Sequence, residues 1–323
     1  MSKVKAIGVL TSGGDAPGMN AAIRSVVRAA ISKGIKVYGI IRGYNGLIDG
    51  DVVEMDLRSV SDIIHRGGTV LYTARSPRFK EEEGMNKAIE NCKKFGIEGV
   101  VVIGGDGSYR GARDLSLRGI PCVGIPGTID NDISSTDYTI GFDTAMNTAM
   151  EMIDKLRDTS QSHDRCSIVE VMGRNAGHLA LQTGMAVGAS AILVPEVPYS
   201  IDDEIIPKIK STIKAGKKHF IIVVAEGIGN IDKIAKEIEE KTGVETRPTV
   251  LGHVQRGGRP TVRDRETASR MGYYAVSLLE KGIGNRVVCE KENKIVDFDI
   301  FEALQMKKAF DFDSYKLAND ISI

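Results

Sequence analysis

The sequence predicts an α/β protein with a largely parallel sheet, and two observations support this prediction. Short runs of apolar, β-branched residues such as VVVI and FIIVV alternate with longer stretches of helical periodicity over most of the 323 residues. These runs are apolar at every position, as in strands that helices cover on both faces. The length predicts one large domain or two medium ones, because a single core rarely grows beyond about 250–300 residues.

These patterns predict seven strands and seven helices. The strands are expected at 6–10, 99–103, 122–125, 167–171, 191–194, 220–225 and 249–251. The helices are expected at 20–32, 85–94, 108–117, 144–158, 202–215, 233–241 and 266–279. The stretch 285–300 is predicted to be a small hairpin or a pair of edge strands. In such a fold, ligands bind to the loops that follow the carboxyl ends of the strands.

Composition argues against several classes of partner. Lys and Arg (43) equal Asp and Glu (43), which gives no reason to expect nucleic acid or a membrane surface as the main partner. An anionic ligand therefore has to be held by local arginines or by backbone N–H groups. The N-terminal apolar run is too short for a signal-peptide core, and no segment approaches the roughly eighteen apolar residues of a membrane span. We expect a soluble, cytoplasmic protein.

The cysteines favour the same compartment. Cys92, Cys122, Cys166 and Cys289 lie far apart and form no CxxC pair. This spacing is typical of reduced thiols in the cytosol and does not suggest a disulfide framework or a zinc site. We expect these thiols to be partly buried.

Two glycine-rich turns are candidates for phosphate binding. The first, SGGDAPG at 12–18, leads into a predicted helix, and the second, GGDGS at 104–108, follows VVVI. Glycine lets the backbone approach a phosphate closely, and a helix N-terminus offers free N–H groups. Asp106 can hold Mg²⁺ through water beside the phosphates of a nucleotide. The first turn could also be an ordinary strand–helix turn, since it lacks both GxGxxG and the P-loop motif. GGDG occurs in several kinase families and therefore indicates ATP before it indicates a second substrate.

A third loop, PGTIDND at 126–132, carries two carboxylates. Asp130 and Asp132 are two residues apart, so in an extended loop their side chains would point the same way. Phosphoryl transfer to an alcohol requires a group that takes the hydroxyl proton, and a carboxylate pair suits this task. The alternative is an Asx-rich turn with no chemical role, since Asn and Asp favour turns.

In combination, five motifs resemble those of the bacterial phosphofructokinase family. They are, in chain order, GGDAPGMN, GGDGS, PGTIDND, VMGR (171–174) and GHVQRGG (252–258). The resemblance runs over essentially the whole chain, through TDYTIGFDTA, LRDTSQSHDR and ASRMG. It implies ATP-dependent phosphorylation of fructose 6-phosphate at its 1-hydroxyl in glycolysis, with Mg²⁺ and ATP bound.

The resemblance also implies the architecture. We expect two Rossmann-like three-layer domains with largely parallel sheets and the active site between them. The larger, ATP-binding domain would hold residues 1–140 and 252–305. The smaller, substrate-binding domain would hold residues 141–251 and 306–323. The family further implies a homotetramer whose sites are shared between subunits.

Roles for individual residues follow from the same resemblance. The ATP site would comprise Gly14, Arg75, Ser76, Gly104, Gly105, Asp106, Gly107 and Ser108, with Asp106 holding Mg²⁺. Catalysis would depend on Asp130 as general base, on Thr128, and on Arg75, which could stabilise the transferring phosphoryl group. Fructose 6-phosphate would be bound by Thr128, Asp130, Asp132, Arg165, Met172, Gly173, Arg174, Glu226, Arg247, His253 and Arg256. Of these, Arg165 and Arg247 would reach the sugar phosphate of the neighbouring subunit.

Two glycines favour ATP over pyrophosphate as the phosphoryl donor. Relatives that use pyrophosphate resemble this chain but carry Asp at the position of Gly107 and Lys at the position of Gly127. An Asp at position 107 would intrude where the α-phosphate of ATP lies and would add like charge. Glycine leaves this space open.

An effector site for ADP and phosphoenolpyruvate is implied at Arg24, Arg28, Arg157, Gly188 and Lys217. Arg24 and Arg28 are four residues apart, so both project from one face of the predicted helix, which could also be a plain polar face. Three positions depart from the family pattern: Leu57, Ser190 and Ala215 replace an Arg, a Glu and a basic residue. The loss of two cations and one carboxylate predicts a blunted or unusual response to both effectors.

Two other functions stay open on sequence alone. GGDG permits a kinase of another small molecule, such as an NAD, nucleoside or sugar kinase, although MGR, QRGG, Arg165 and Arg247 argue against it. A catalytically silent nucleotide-binding protein is the second alternative. Asp130 and Asp106 argue against a silent protein, because both groups that catalysis requires are present.

Overall fold

The structure is a computed structural model that describes residues 4–322, and in it the chain forms two compact units. The larger unit contains the chain up to Ile129, Ile133–Thr144 and Arg256–Lys308. The smaller unit contains Asp130–Asp132, Ala145–Gln255 and the chain from Ala309 onward. Each unit is built around its own sheet. The assignment of ATP to one unit and the sugar to the other stays a prediction.

The regular elements alternate between strand and helix, as predicted. The strands are β1 (Ala6–Ser12), β2 (Lys36–Ile40), β3 (Val52–Met55), β4 (Val100–Gly104), β5 (Cys122–Pro126), β6 (Cys166–Val171), β7 (Ala191–Leu193), β8 (Phe220–Ala225), β9 (Thr246–Val250), β10 (Arg286–Lys291) and β11 (Lys294–Asp299). The helices are α1 (Met19–Ser32), α2 (Tyr44–Asp49), α3 (Glu82–Phe95), α4 (Asp106–Ser116), α5 (Phe142–Ser162), α6 (His178–Ala186), α7 (Ile206–Lys214), α8 (Ile231–Thr242), α9 (Val262–Glu280), α10 (Ile300–Ala303) and α11 (Phe312–Asp320). Turns of 3-10 helix span Pro77–Lys80 and Gly252–Arg256, and a π-helical turn, Ile201–Ile205, leads into α7.

The sheet of the larger unit has the strand order β11-β10-β5-β4-β1-β2-β3. Its five inner strands are parallel, and the edge strands β3 and β11 are antiparallel to their neighbours. The chain leaves β1 toward β2 on one side and returns to β4 on the other side. A topological switch point therefore lies between β1 and β4, where open α/β sheets bind their ligands.

Helices cover both faces of this sheet, because its central strands are apolar at every position. In β4, Val100 and Val102 join a buried cluster with side chains of α2, α3 and α4. Val101 and Ile103 alternate with them and are equally buried, on the face where α1 and α9 pack. The result is a helix–sheet–helix sandwich, which confirms the predicted α/β class.

The sheet of the smaller unit is fully parallel, with the order β7-β8-β6-β9. One of its faces buries Ile168 and Ile222 against α7 and α8. Helix α6 packs against β7 and β8. Among the described residues, no helix combines the length and apolar character that crossing a bilayer requires.

The structure corrects several predicted elements. Six elements were not predicted, because they are short or only partly apolar: β2, β3, α2, α6, α10 and α11. β9 begins at Thr246 and not at 249, since this edge strand contains Arg247 and Pro248, which interrupt any apolar run. The stretch 285–300 is an antiparallel hairpin, but only β11 is an edge strand because β10 also pairs with β5.

The four cysteines are free and fully buried, which corrects the expectation of partial burial. Burial raises the pKa of Cys92 to about 12 and that of Cys289 to about 11. These thiols are neutral at physiological pH, and the side chains pack in the hydrophobic core.

Candidate active site

The two glycine turns lie side by side at the switch point of the large sheet. β1 and β4 pair in parallel with Ser12 opposite Gly104, so both turns leave the sheet at the same edge. The Ser108 hydroxyl donates a hydrogen bond to the carbonyl oxygen of Ser12 (3.0 Å) and joins the turns. Each turn leads into a helix, α1 or α4, whose first residues receive no capping bond from the N-cap side chain. The N–H groups of these first turns can therefore bind an anion.

Glycine is required at position 104 and leaves open space at positions 105 and 107. A Cβ atom at Gly104 would lie 2.4 Å from the Ser108 hydroxyl oxygen and 2.4 Å from the main-chain oxygen of Ser12. At Gly105 and Gly107, such a Cβ would meet no atom of the described residues within 4 Å apart from its chain neighbours and the helix's own backbone. The backbone at the start of α4 is therefore open to the approach of a ligand.

We expect Gly104→Ala to lower the free energy of unfolding by about 1–3 kcal/mol, because the added methyl group has to displace the Ser12 carbonyl. The midpoint of urea unfolding measures this loss. Gly107→Ala is the matched control and should not lower the midpoint, since its methyl group meets open space and Ala favours a helix over Gly. Equal midpoints for Gly104→Ala and wild type would contradict the close packing of the two turns.

Asp106 fits a magnesium ion that arrives with a nucleotide. It is the first residue of α4 and is partly exposed beside the open space at Gly107. Within residues 4–322, no group of three or more His, Cys, Asp or Glu side chains could hold a metal ion by itself. Mg²⁺ commonly keeps several waters and takes one or two carboxylates together with substrate phosphates. The single carboxylate of Asp106, at a turn predicted to bind phosphate, fits this coordination preference.

The third loop leaves β5 at the same edge, but it is not extended as predicted. Pro126 pairs in register with the end of β4, and Thr128 and Asp130 are only 9% and 4% exposed. Asn131 adopts a left-handed conformation with φ of +50°, which Asn tolerates better than most residues. The alternation rule holds only for extended backbone, so the condition under which Asp130 and Asp132 were expected to point the same way is not met.

Segment 138–144 supports the start of this loop. The Thr139 hydroxyl donates to the carbonyl oxygen of Thr128 (2.7 Å), and the Ile140 N–H donates to that of Pro126 (2.9 Å). The segment is anchored in turn by Asp264 of α9, which is 0% exposed. The Asp264 carboxylate accepts four hydrogen bonds, from the Tyr138 hydroxyl (2.5 Å), Gly141 N–H (2.6 Å), Thr144 N–H (2.9 Å) and the Thr144 hydroxyl. Burial raises the pKa of Asp264, and these donors oppose the rise.

Arg75 and Ser76 stand at the end of an irregular segment, residues 56–76. The Arg75 side chain is exposed. The Ser76 hydroxyl is buried and has no hydrogen-bond partner among the residues that the structure describes. A buried polar atom of this kind normally pairs with water or a ligand. The position of Ser76 thus fits its predicted place in the ATP site.

Arg256 lies on the first glycine turn. Its Nη1 donates to the carbonyl oxygen of Asp15 (3.1 Å), and a Cβ at Gly14 would stand only 2.6 Å from the same nitrogen. Glycine at position 14 therefore leaves room for this contact. The structure brings together a residue predicted for the sugar and a residue predicted for ATP.

In the smaller unit, most predicted sugar-binding residues follow neighbouring strand ends. Val171 lies opposite Ala225, and Glu170 lies opposite Val250. The loops after β6, β8 and β9 therefore start at one edge of the sheet. They carry Met172, Gly173, Arg174, Glu226 and His253.

One hydrogen bond joins two of these loops. The Arg174 N–H donates to Oε1 of Glu226. Arg174 has a φ of +57° and follows Gly173 with a φ of +140°, so the turn exposes the guanidinium while its N–H faces Glu226. Glu170, which was not predicted, lies close by in β6. Burial raises its pKa, and the negative charge of Glu226 adds to the rise.

Arg165 and Arg247 lie at the opposite, amino end of the same sheet. Arg165 immediately precedes β6, and Arg247 is the second residue of β9. Glu245 holds both: Arg165 Nε donates to its Oε2 (2.7 Å) and Arg247 Nε to its Oε1 (2.9 Å). The pKa of Glu245 is lowered by the hydrogen bond from Arg165, which has the larger effect, and by the hydrogen bond from Arg247. The structure thus separates these two arginines from the loops of Arg174 and Glu226.

The residues predicted for an effector site fall into two groups. In the larger unit, Arg24 and Arg28 share one face of α1. The pKa of Arg24 is lowered mainly by partial burial and also by the positive charge of Arg28. In the smaller unit, Lys217 Nζ donates to the Ser190 hydroxyl (3.2 Å). Arg157 donates to the carbonyl oxygen of Val187, next to the exposed Gly188. Effector binding by either group stays a prediction.

Paired glycine turns at the switch point of the large sheet and a carboxylate at the start of α4 are typical of α/β proteins of the kinase class. Comparison with known protein families shows which family of this class the chain belongs to. The family model described as phosphofructokinase matches residues 6–279. The chain belongs to the phosphofructokinase family.

Close relatives extend the match to the full length. The chain is 60% identical over 320 residues to the ATP-dependent 6-phosphofructokinase of Bacillus cereus (strain B4264) and 59% identical to that of Bacillus cytotoxicus. Both alignments cover 99% of this chain and 100% of the relative. Among solved structures, phosphofructokinase from Saccharomyces cerevisiae superposes with a TM-score of 0.88 at 34% identity. That match covers 99% of this chain and 48% of the yeast chain, so this chain spans about half of the yeast protein.

Proposed function

We propose that this chain transfers the γ-phosphoryl group of ATP to the 1-hydroxyl of fructose 6-phosphate, a step of glycolysis. The observation that carries the proposal is the set of three loops that start at the ends of β1, β4 and β5, at one edge of the large sheet. Full-length relatives at 59–60% identity carry the name ATP-dependent 6-phosphofructokinase, which supports both the donor and the acceptor. A cytoplasmic location is part of the same proposal.

In this proposal, the larger unit holds ATP on the turns around Gly14 and Gly104–Ser108, with Arg75 and Ser76. Asp106 would hold Mg²⁺, which neutralises phosphate charge and orients the transferring group when bound. Asp130 takes the proton from the sugar hydroxyl, and Thr128 lies two residues before it. Arg75 meets the charge on the transferring phosphoryl group.

The sugar is held by the loops at the carboxyl edge of the small sheet, together with Asp132 and Arg256. Arg165 and Arg247 lie too far from these loops to bind the sugar that the loops of their own chain hold. The six residues of β6 separate the two ends of that sheet by about 20 Å. We therefore assign these arginines to the sugar phosphate of a neighbouring subunit in a homotetramer, with Glu245 holding them in place.

A coupled assay tests the proposal directly. Purified protein with fructose 6-phosphate is supplied with either MgATP or magnesium pyrophosphate, and a panel of other acceptors is followed by ADP release. We expect turnover with ATP and fructose 6-phosphate at a kcat/KM far above every other combination. Equal rates with pyrophosphate, or a preferred acceptor such as NAD or a nucleoside, would overturn the proposal.

Gly107→Asp is expected to lower kcat/KM for MgATP about 30-fold. The new carboxylate would enter the open space beside the phosphates, where like charges about 4 Å apart cost roughly 1–4 kcal/mol. Gly107→Asn has nearly the same size without the charge, so the difference between the two variants measures electrostatic repulsion alone. A kcat/KM within threefold of wild type for Gly107→Asp would show that no phosphate binds beside this residue.

A further inference from the structure

Asn20 connects the first phosphate turn to a distant segment of the larger unit. It is the second residue of α1 and is 0% exposed. Its side chain makes three hydrogen bonds, all to main-chain atoms of residues 66–70. Nδ2 donates to the carbonyl oxygens of Arg66 (3.0 Å) and Gly68 (2.7 Å), and Oδ1 accepts from the Val70 N–H (2.8 Å). Both amide hydrogens and the amide oxygen are therefore used.

The segment that Asn20 holds has little internal support. Residues 56–76 form turns and irregular backbone, with neither strand nor helix. Their main-chain groups have to find partners elsewhere, because buried N–H and C=O groups are almost always paired. Thr11 supplies one by donating to the carbonyl oxygen of Tyr72 (2.8 Å), and the Arg42 N–H donates to that of Leu71 (2.8 Å). In the other direction, the Thr73 hydroxyl donates to the carbonyl oxygen of Gly13 in the first phosphate turn (2.8 Å). The segment is therefore held in place mainly by side-chain hydrogen bonds, since it pairs with no β-strand that the structure describes.

Arg75 follows directly after these contacts. Its guanidinium is exposed, and its Cα is positioned by the backbone of 66–74 on one side and by the turn Pro77–Lys80 on the other, with a long hydrogen bond from Asn45 to its carbonyl oxygen (3.5 Å). The same backbone is fixed to both ends of the first phosphate turn, through Thr73 at Gly13 and through Asn20 at the start of α1. A shift of this anchor would displace Arg75 relative to the phosphates that the turn binds.

We propose that Asn20 is a positioning residue for Arg75: its buried amide fixes segment 66–70 so that the guanidinium meets the transferring phosphoryl group. The inference rests on the proposed function, in which Arg75 stabilises that group. Asn20 acts through the segment and needs no contact with either substrate. Misplacement of a reacting group by about 1 Å can cost about 100-fold in rate, so a remote anchor of this kind has a measurable effect.

Asn20→Ser tests the inference, because the short hydroxyl cannot bridge three groups. We expect kcat to fall about 10- to 100-fold, with KM for fructose 6-phosphate within about threefold of wild type. Asn91→Ser is the matched control. The Asn91 amide also donates to two carbonyl oxygens, of Leu47 and Ile48 (2.9 Å each), but these lie at the end of α2. The control should lower the unfolding midpoint to a similar degree and leave kcat within about twofold.

A double-mutant cycle with Arg75→Ala separates positioning from general damage. We expect Asn20→Ser to cause no further loss of kcat in the Arg75→Ala background, since its effect passes through that side chain. A full additional loss there, or an unchanged kcat for Asn20→Ser alone, would overturn this inference while the role of Arg75 stands. An unchanged kcat for Arg75→Ala would overturn the proposed role of Arg75 and this inference with it. Asn20→Gln keeps the amide but lengthens the side chain by one methylene, so it shifts segment 66–70 without burying a charge and supports the same cycle should Asn20→Ser fail to fold.

Discussion

Asp130→Asn is expected to lower kcat by about 10²–10⁴-fold and to leave ATP affinity nearly unchanged. The amide keeps the size of the side chain but cannot accept the proton of the sugar hydroxyl, and general-base catalysis contributes a factor of this order. Asp130 is 4% exposed and lies in the loop that starts at the end of β5. Steady-state kcat in an ADP-coupled assay gives the loss, and calorimetric titration with MgATP gives the affinity.

Asp137→Asn is the matched control for this prediction. Asp137 lies seven residues further along the chain, is exposed and forms an ion pair with Lys291 (2.7 Å). The same chemical change there should leave kcat within about twofold. If Asp130→Asn kept more than a tenth of the wild-type kcat, Asp130 would not be the base. A parallel loss of ATP affinity would indicate a disturbed fold and not a missing base.

Asp264→Ala is expected to lower the free energy of unfolding by about 3–5 kcal/mol. The Asp264 carboxylate is 0% exposed and accepts four hydrogen bonds that hold segment 138–144. Its removal leaves buried donors without an acceptor, at about 1–3 kcal/mol each before water and relaxation reduce the sum. Urea unfolding at a fixed protein concentration measures the change, because assembly would shift the apparent stability.

Two further variants identify the source of this loss. Asp264→Asn keeps one acceptor oxygen and should lose less than Asp264→Ala. Tyr138→Phe removes one donor to Asp264, and also the acceptor of a longer bond from the Asp143 N–H (3.3 Å), and should lower the free energy of unfolding by about 1 kcal/mol. The double variant of Tyr138→Phe with Asp264→Ala should lose less than the sum of the singles, since the two side chains share a bond. Strict additivity, or a loss below 1 kcal/mol for Asp264→Ala, would contradict the role of this carboxylate.

How much of the fold the sequence predicts depends on burial. β4 and β8 were predicted because helices cover both faces, which makes every residue apolar. β3 has two exposed residues among four, and β9 carries an Arg and a Pro, so neither gives a recognisable run. The hairpin of β10 and β11 was expected, but its union with β5 depends on a pairing more than 160 residues apart in the chain. Periodicity contains no such information.

The candidate site shows the same limit. The glycine turns and the PGTIDND loop are local motifs, and their order along the chain matches the order of parallel strands, so their convergence was predictable. Asn20 bonds to carbonyls 46 and 48 residues away, and Asp264 to donors 120 to 126 residues away. Thr261 and Asp264 do form a T-x-x-D capping pattern, but this predicts a helix start and nothing about the four buried donors.

The interleaved path of the chain has a consequence for its synthesis. When Ile129 leaves the ribosome, the larger unit still lacks β10, β11 and α9, all of which arrive between Arg256 and Lys308. At about 5–20 residues per second, translation of residues 130–255 takes roughly 6 to 25 seconds. The four strands of the smaller sheet emerge within that interval and can pair first. The nascent β5 waits with one edge and one apolar face uncovered, which makes this stage of translation the point at which a chaperone has most to shield.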